Sequence, residues 1–302
     1  MYIPGREQKL GLKTRFFNVF RHLLKSEPLE EFLAEKIQNH PTDNFWAHLV
    51  PSHYLYKKNS WREAERHGIK YHLDISDYTE HSIYFGYLED DFNELFEMAK
   101  GKKVIIDVGV NVGSTLLTFA KICPDGFVYG FEPDENSILK AEKNLEMNEF
   151  HNAAIIKKGL GDQNIKGRLY NVNDSNAGQN RFLNSAVSNL IGELNYNEAE
   201  IIKLDDFVQE QKLDRIDLIK IDVEGYELKV LKGAEQSIRK FSPVLFIELM
   251  DVNLTLQGVN SKSLICFLER LGYEIYHART KEIISSKDKT DYYTCDIICK
   301  KR

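Results

Sequence analysis

The sequence predicts a doubly wound α/β domain with a mostly parallel sheet, and three observations carry that prediction. The run Val104-Ile-Ile-Asp-Val108 is continuously apolar except for one acid, as strands of a parallel sheet covered on both faces are, and it breaks into Gly109-x-Asn111-x-Gly113. Four further apolar runs follow it, each delivering polar residues at or just beyond its C-terminal end. That edge of an open α/β sheet is where ligands bind. Stretches with apolar residues at helical spacing lie between the runs, as crossover connections require.

Taken in order, residues 1–25 carry six basic residues (Arg6, Lys9, Lys13, Arg15, Arg21, Lys25) against the single acid Glu7. Leu12, Phe16, Phe20 and Leu24 recur every four residues there, with Val19 and Leu23 beside them, which is a helical stripe. Such stripes usually face a core, so the apolar side is expected to pack on the α/β domain or on another subunit. The alternative is a basic amphipathic helix touching a membrane surface through residues 9–25. Residues 28–66 read as helical and polar, broken by Pro41 and Pro51. Aromatic residues are dense from Phe45 to Tyr87, which predicts a small module packing its own core rather than an aromatic wall for a sugar or macrocycle. Ile69–Ile75 alternates in part as a hairpin strand, and Asp91–Ala99 reads as a helix leading to Gly101. The organisation expected is a helical extension over 1–68, acting as lid or oligomer contact, and a ligand-binding domain over 69–302.

Within that domain Val104–Val108 is the first strand, and the next helix starts near Gly113-Ser114. Glycines in the turn let a backbone come close to a ligand, to which the helix N-terminus presents unpaired N–H groups. The second strand, Phe127-Val-Tyr-Gly-Phe131, ends in Glu132. An acid about 20 residues past the glycine turn is the usual partner of ribose hydroxyls in nucleotide-binding units. The following helix carries Ile138, Ala141 and Leu145, with Asn148 as its stop signal. Ala154-Ile-Ile then leads into Gly159-Leu-Gly161-Asp162. Residues 164–200 are rich in Asn, Gly and Ser without clear periodicity, and include Asn173-Asp-Ser-Asn-Ala-Gly-Gln-Asn180. A segment of that kind predicts a functional loop on the acceptor side. Ile201–Leu204 reads as a short strand, with Asp205 or Asp206 capping the next helix. Ile216–Asp222 and Val244–Leu249 are the fourth and fifth main strands, and Tyr273–His277 and Tyr292–Cys299 the last two. Leu231, Ala234 and Ile238 stripe one intervening helix, and Leu264, Phe267, Leu268 and Leu271 another.

Composition narrows the function. A net charge of −6 from 40 Lys and Arg against 46 Asp and Glu offers no broad attraction to RNA or DNA, so no nucleic-acid partner is expected. Cys123, Cys266, Cys295 and Cys299 lack the spacing of a zinc site or disulfide framework, and Cys295 and Cys299, on one side of a terminal strand, read as small core residues. Arg15 and Arg21 interrupt the early apolar stretch, and no run reaches the ~20 residues of a membrane span. The expected compartment is the cytoplasm.

The run Asp107-Val-Gly-Val-Asn-Val-Gly113, Phe131-Glu-Pro133, Leu160-Gly-Asp162, Lys220-Ile-Asp-Val-Glu-Gly-Tyr-Glu227 with Leu231-x-Gly-Ala234, and Pro243-Val-Leu-Phe-Ile-Glu248 resembles the FkbM family of S-adenosylmethionine-dependent methyltransferases. The resemblance covers roughly residues 104–249, and the Lys220–Glu227 block is its most specific part. It implies a Rossmann-like class I methyltransferase with a seven-stranded, mostly parallel sheet whose last strand is antiparallel. It also implies S-adenosylmethionine as cofactor and a hydroxyl of a sugar, glycolipid or polyketide-like small molecule as acceptor.

Chemistry assigns the candidate residues. Gly109 and Gly113 bring the backbone close, Asp107 reaches the cofactor's amino group, and Asn111 orients the turn or bonds the amino-acid tail. Glu132 matches a ribose diol bidentately, and Asp162 either accepts from the adenine amino group or shapes a turn. Methyl transfer is an in-line displacement dominated by orientation, but an alcohol must also lose its proton. Asp222, Glu224 and Glu248 gather at neighbouring strand ends, as a base with a raised pKa or as ligands of a divalent cation. Lys220 alternates onto the face of Asp222 and is placed to pair with it. Glu224 as a helix cap and Glu248 in a polar network are the structural alternatives.

The absence of an Asn/Asp-Pro-Pro-aromatic signature after the fourth strand, or of a Pro-Cys nucleophile, leaves oxygen as the best acceptor. A nitrogen- or carboxyl-directed methyltransferase and a non-catalytic nucleotide-binding module of the same fold are the alternatives. A nicotinamide dehydrogenase would want Gly-x-Gly-x-x-Gly, which the spacing Gly109-x-x-x-Gly113 does not supply.

Overall fold

A computed structural model of the protein describes residues 12–37, 45–87, 89–171, 180–182, 195–288 and 293–302. Positions 9–11 of the basic stretch and 173–179 of the polar run lie outside the described residues. The central feature is a sheet built from β3 (Val104–Val108), β4 (Phe127–Phe131), β5 (Ala153–Ile156), β10 (Leu218–Ile221), β11 (Val244–Met250), β12 (Tyr273–His277), β13 (Ile283–Ile284) and β14 (Thr294–Lys301). Their spatial order is β13-β12-β14-β11-β10-β3-β4-β5. The strands from β5 to β11 are mutually parallel, and β14 runs antiparallel to both β11 and β12. The sheet therefore has eight strands among the described residues, one more than expected. The extra strand is the two-residue β13, too short to show an alternation that sequence could reveal.

The order reverses between β3 and β10, and a crevice opens there because the flanking connections leave toward opposite faces. One face of the sheet is lined by Ile106, Val108, Ile219, Ile221, Leu245 and Ile247. It packs against α7 (Leu204–Glu210), α8 (Glu227–Gly233), α9 (Glu235–Phe241), α10 (Asp251–Leu256) and α11 (Ser261–Arg270). The other face presents Ile105, Leu218, Phe246 and Ile298 to α4 (Glu89–Ala99) and α5 (Ser114–Ile122). The stripe of Leu231, Ala234 and Ile238 is split between α8 and α9, where the sequence suggested one helix. Cys299 is buried in this core and Cys295 half-buried beside it.

The described parts of residues 164–200, read as a loop or insertion, are largely strands. β6 (Gly159–Leu160), β7 (Ile165–Tyr170), β8 (Arg181–Phe182) and β9 (Tyr196–Ile202) form a second sheet in the order β6-β9-β7-β8. β7 is mostly solvent-facing along its first four residues, so its apolar pattern is faint. Gly167 lies under the Phe182 ring, leaving no room for a side chain. The short strand read at 201–204 is the end of β9, and Leu204 already begins α7. Asp205 does not cap α7. Its carboxylate accepts from the backbone N–H of Gln236 and Ser237 at the start of α9.

The N-terminal region holds α1 (Leu12–Leu23), α2 (Glu27–Ile37), two 3₁₀ turns (Phe45–Leu49 and His53–Leu55), a hairpin of β1 (Trp61–Arg66) and β2 (Ile69–Asp74), and α3 (Tyr78–Phe85). The hairpin spans the boundary drawn at residue 68, and β1 replaces helix at the end of 28–66. Tyr56, Tyr71, Tyr84 and Phe85 are buried in one cluster with Leu33, Ile37 and Leu73. Part of the dense aromatic stretch is thus a core, whereas Phe45, Tyr54, Trp61 and Tyr78 are exposed. That core includes Val112 and Leu117, so the region is seated on α5. α6 (Glu135–Met147) fastens it further, since the Asn148 side chain both accepts from Lys70 N–H and donates to Lys70 C=O. The apolar stripe read over residues 12–24 is divided: Leu24 packs against this core, while Phe16, Val19, Phe20 and Leu23 are exposed in the single chain.

Candidate active site

The crevice above β3, β4 and β10 is lined by Gly109, Asn111, Phe131, Glu132, Leu160, Leu169, Asn180, Arg181, Phe182, Asp222, Glu224 and Tyr226, among others. Apolar walls with a few convergent polar groups are the usual make-up of a small-molecule site. The aliphatic and aromatic part comes from β4 and from the inner face of the second sheet, and the polar part from strand ends of the main sheet.

The first turn is held from several directions. Gly109 (φ 85°) donates its N–H to Phe131 O at 3.0 Å, and its own carbonyl accepts from Lys220 Nζ at 3.0 Å. A Cβ on Gly109 would stand 1.9 Å from the Asp222 carbonyl oxygen, so the close approach glycine permits here is to the chain itself. Asn111 is left-handed (φ 50°) and donates its N–H to Glu132 Oε2 at 2.8 Å, leaving its own Oδ1 buried without a partner. Gly113 (φ 96°) is the N-cap of α5.

Glu132 is buried at the end of β4. Its Oε1 accepts from Asp134 N–H at 3.0 Å, so each oxygen holds one backbone donor and keeps acceptor capacity toward the crevice. Burial pushes the carboxyl up to about 7 against the pull of those two N–H groups.

Asp107 and Lys220 are opposite one another in the β3–β10 register, both fully buried. Lys220 Nζ lies 3.6 Å from Asp107 Oδ1 and 3.3 Å from Asp222 Oδ2. Thr115 Oγ1 donates to Asp107 Oδ2 at 2.6 Å. Burial alone would lower the Lys220 pKa, but the Asp222 and Asp107 carboxylates outweigh it and hold the ammonium charged. The expected Lys220–Asp222 pair is present. Asp107, by contrast, is enclosed by Thr115 and Lys220 and does not line the crevice.

Asp222 and Glu224 both line the crevice; Glu248 does not. Glu224 (φ 55°) forms an ion pair with Arg181 Nη2 at 3.1 Å and accepts from Asn253 Nδ2 at 2.7 Å, while Arg181 Nη1 donates to Asn253 Oδ1 at 2.9 Å. Burial raises the Glu224 carboxyl to about 7, with Arg181 opposing. Glu224 does not act as a helix cap; that turn is held by Glu227, whose Oε1 accepts from Gly225 N–H at 2.8 Å and Val223 N–H at 3.3 Å. Glu248 pairs in register with Asp296 of β14, and burial together with Asp222, Glu224, Glu227 and Asp296 pushes its carboxyl well above the usual range.

Of Asp222, Glu224 and Glu248, read as possible cation ligands, Asp222 is turned to Lys220 and Glu224 to Arg181, and among the described residues no group of three or more His, Cys, Asp or Glu is placed to hold a metal ion. Asp162 likewise falls outside the crevice wall. The 161–162 backbone is pressed against Gly233 of α8, and the Asp162 carboxylate acts on Tyr226 and Lys229 instead.

Three participants escaped the sequence. Arg181 and Phe182 reach the crevice from a segment without readable pattern, and Asn253 sits on α10, a helix no periodicity announced. Glu227 stood in a recognisable block, and its place two residues after Gly225 was the available signal.

The sequence profile of the methyltransferase FkbM domain matches residues 107–275. The chain is 25% identical over 160 residues to Methyltransferase 1 of Beauveria bassiana (strain ARSEF 2860), covering 49% of this chain and 64% of that protein. It is 25% identical over 166 residues to 2-O-methyltransferase NoeI of Sinorhizobium fredii (strain NBRC 101917 / NGR234), covering 52% and 67%. Among solved structures, methyltransferase FkbM from Methylobacillus flagellatus KT aligns at 14% identity with a TM-score of 0.42, over 93% of this chain and 60% of that one. The chain thus spans less than two thirds of the first relative's length.

Proposed function

The chain belongs to the FkbM methyltransferase family, and from that premise we propose that it transfers a methyl group from S-adenosylmethionine to a hydroxyl of a sugar, glycolipid or polyketide-like small molecule. The observation that carries the cofactor half is Glu132, a buried carboxylate at the second strand's end with acceptor capacity left toward the crevice. The residues present fit the group. The unpartnered Asn111 Oδ1 can accept from the cationic amino-acid tail, Glu132 from the ribose hydroxyls, and Phe131, Leu160 and Phe182 can enclose a flat base. Bound there, the cofactor would supply an electrophilic methyl group on a sulfonium.

The chain's own task is then to orient an alcohol and take its proton. Glu224 is the group we assign as base: it lines the crevice, and burial brings its pKa near neutrality, where a general base works best. Arg181 and Asn253 fix its orientation. Asp222, tied to Lys220, keeps negative charge at the mouth where positive charge disperses. Oxygen as acceptor is supported by the name of the Sinorhizobium relative, a 2-O-methyltransferase.

Isothermal calorimetry with S-adenosylhomocysteine and, separately, NAD⁺ tests the cofactor site. S-adenosylhomocysteine should bind and NAD⁺ should not. Glu132→Ala should weaken binding roughly 10- to 100-fold, the worth of one or two charge-assisted hydrogen bonds. A folded protein that ignores S-adenosylhomocysteine would leave a non-catalytic module as the account.

A further inference from the structure

Helix α1 is docked with its amphipathic order reversed. Phe16, Val19, Phe20 and Leu23 stand at i, i+3, i+4 and i+7, one helical face, and are 62%, 64%, 50% and 75% exposed. The opposite face, at positions 14, 18 and 21, is turned to the protein and is polar, and Lys25 follows just past the helix end. Asn18 is 8% exposed and donates to Tyr54 Oη at 3.3 Å. Arg21 donates twice to His48 O, at 2.8 and 3.1 Å, and Lys25 Nζ donates to Leu55 O. Surface helices bury the apolar face and expose the polar one. Here the anchoring hydrogen bonds hold the apolar face outward, so it is built to meet something other than this chain's core.

Charge says what that is. Residues 12–25 contain Lys13, Arg15, Arg21 and Lys25 and no acid, in a chain whose net charge is −6. The anchoring partners of Arg21 and Lys25 are carbonyl and amide oxygens, which leave both cations uncompensated by them. Helical positions 13 and 15 border the apolar stripe on either side. A second copy meeting this face would set the basic positions 13 and 15 against their own like, whereas an anionic lipid surface accepts both the rings and the charges. No helix among the described residues is long and apolar enough to cross a membrane, so the contact is in-plane.

We infer that α1 seats the protein on an anionic lipid surface, with Phe16, Val19, Phe20 and Leu23 in the acyl boundary and the flanking cations at the headgroups. The inference stands independently of the methyl-transfer reading.

Cosedimentation of the full chain with vesicles of phosphatidylcholine alone, and of phosphatidylcholine with phosphatidylglycerol, tests it. Binding is expected only to the anionic vesicles and should weaken as salt is raised. Phe16→Ser with Phe20→Ser should reduce it about tenfold or more, since both rings leave the lipid. Val19→Ser with Leu23→Ser serves as an independent second variant, and unchanged thermal melts confirm that each remains folded. Lys13→Gln with Arg15→Gln should weaken binding and flatten its salt dependence. The proposal is overturned by absence of binding to anionic vesicles, by equal binding to both vesicle types, or by indifference to both apolar variants. It is equally overturned if light scattering shows self-association that these variants abolish while vesicles are ignored, which would make a second copy the occupant.

Discussion

Lys220 and Asp107 face each other across β10 and β3, out of solvent, with Nζ 3.6 Å from Oδ1 and a second carboxylate, Asp222, at 3.3 Å on the same ammonium. A buried pair of this kind is costly to break from one side, because the remaining charge is stranded. Lys220→Met should therefore destabilise the protein by about 3–5 kcal/mol in urea unfolding. Adding Asp107→Asn should recover a large part of that loss. A double variant no more stable than Lys220→Met would show that the pair is not the relevant interaction.

Glu224 and Glu248 make opposite predictions at neutral pH. With a pKa near 7, Glu224 is deprotonated above that value, so kcat/KM should rise with pH through about 7 and level off. Glu224→Gln should lower kcat by about 10²- to 10⁴-fold, the usual worth of a general base. Glu248 lies outside the crevice wall, and burial with the neighbouring carboxylates favours its neutral form, which glutamine resembles. Glu248→Gln should cost much less than Glu224→Gln, and the reverse ranking in steady-state assays would reassign the base.

Glu227 is raised from 4.5 to about 7, mainly by burial. Its neutral form is favoured by the folded state, so the stability it contributes is present below about 4.5 and lost as pH rises to 7. Glu227→Gln keeps an acceptor for Gly225 and Val223 and removes the charge. The variant should lose less stability than wild type between pH 5 and 8, by roughly 2–3 kcal/mol in chemical denaturation. Parallel stability–pH curves would contradict this.

Gly233 ends α8, where replacement of glycine by alanine ordinarily gains about 1 kcal/mol. Here the new Cβ would stand 1.8 Å from Gly161 O, and the 161–162 backbone would have to move. Gly233→Ala should instead destabilise by about 1–3 kcal/mol, measurable as a lowered Tm.

What could be read in the sequence followed the physics that marks it. β3, β4, β10 and β11 are buried on both faces, so their apolar runs were continuous and their polar ends stood out as Asp107, Glu132, Asp222 and Glu248. Asn148 was legible as a stop because a short polar side chain suits a helix end, and it is the C-cap of α6. The second sheet was missed because β7 is largely solvent-facing and β8 has two residues, and Arg181 was lost with it. The exposure of the α1 stripe could not be foreseen, since periodicity gives the existence of a face and not what lies against it. Asp162 was displaced by a packing fact, the contact of Gly161 with Gly233, that no local signal records.

One side chain joins two distant parts of the molecule. Asn144 of α6 accepts from His72 N–H in β2 at 2.7 Å and donates to Val112 O, inside the first turn, at 2.9 Å. The hairpin and the turn are thus read by the same rigid amide, and neither can shift without disturbing the other's hydrogen bond. The exchange rate of the His72 amide proton becomes a remote gauge of the crevice, slowing when the turn is clamped and quickening when it loosens, at a position that no ligand in the crevice touches.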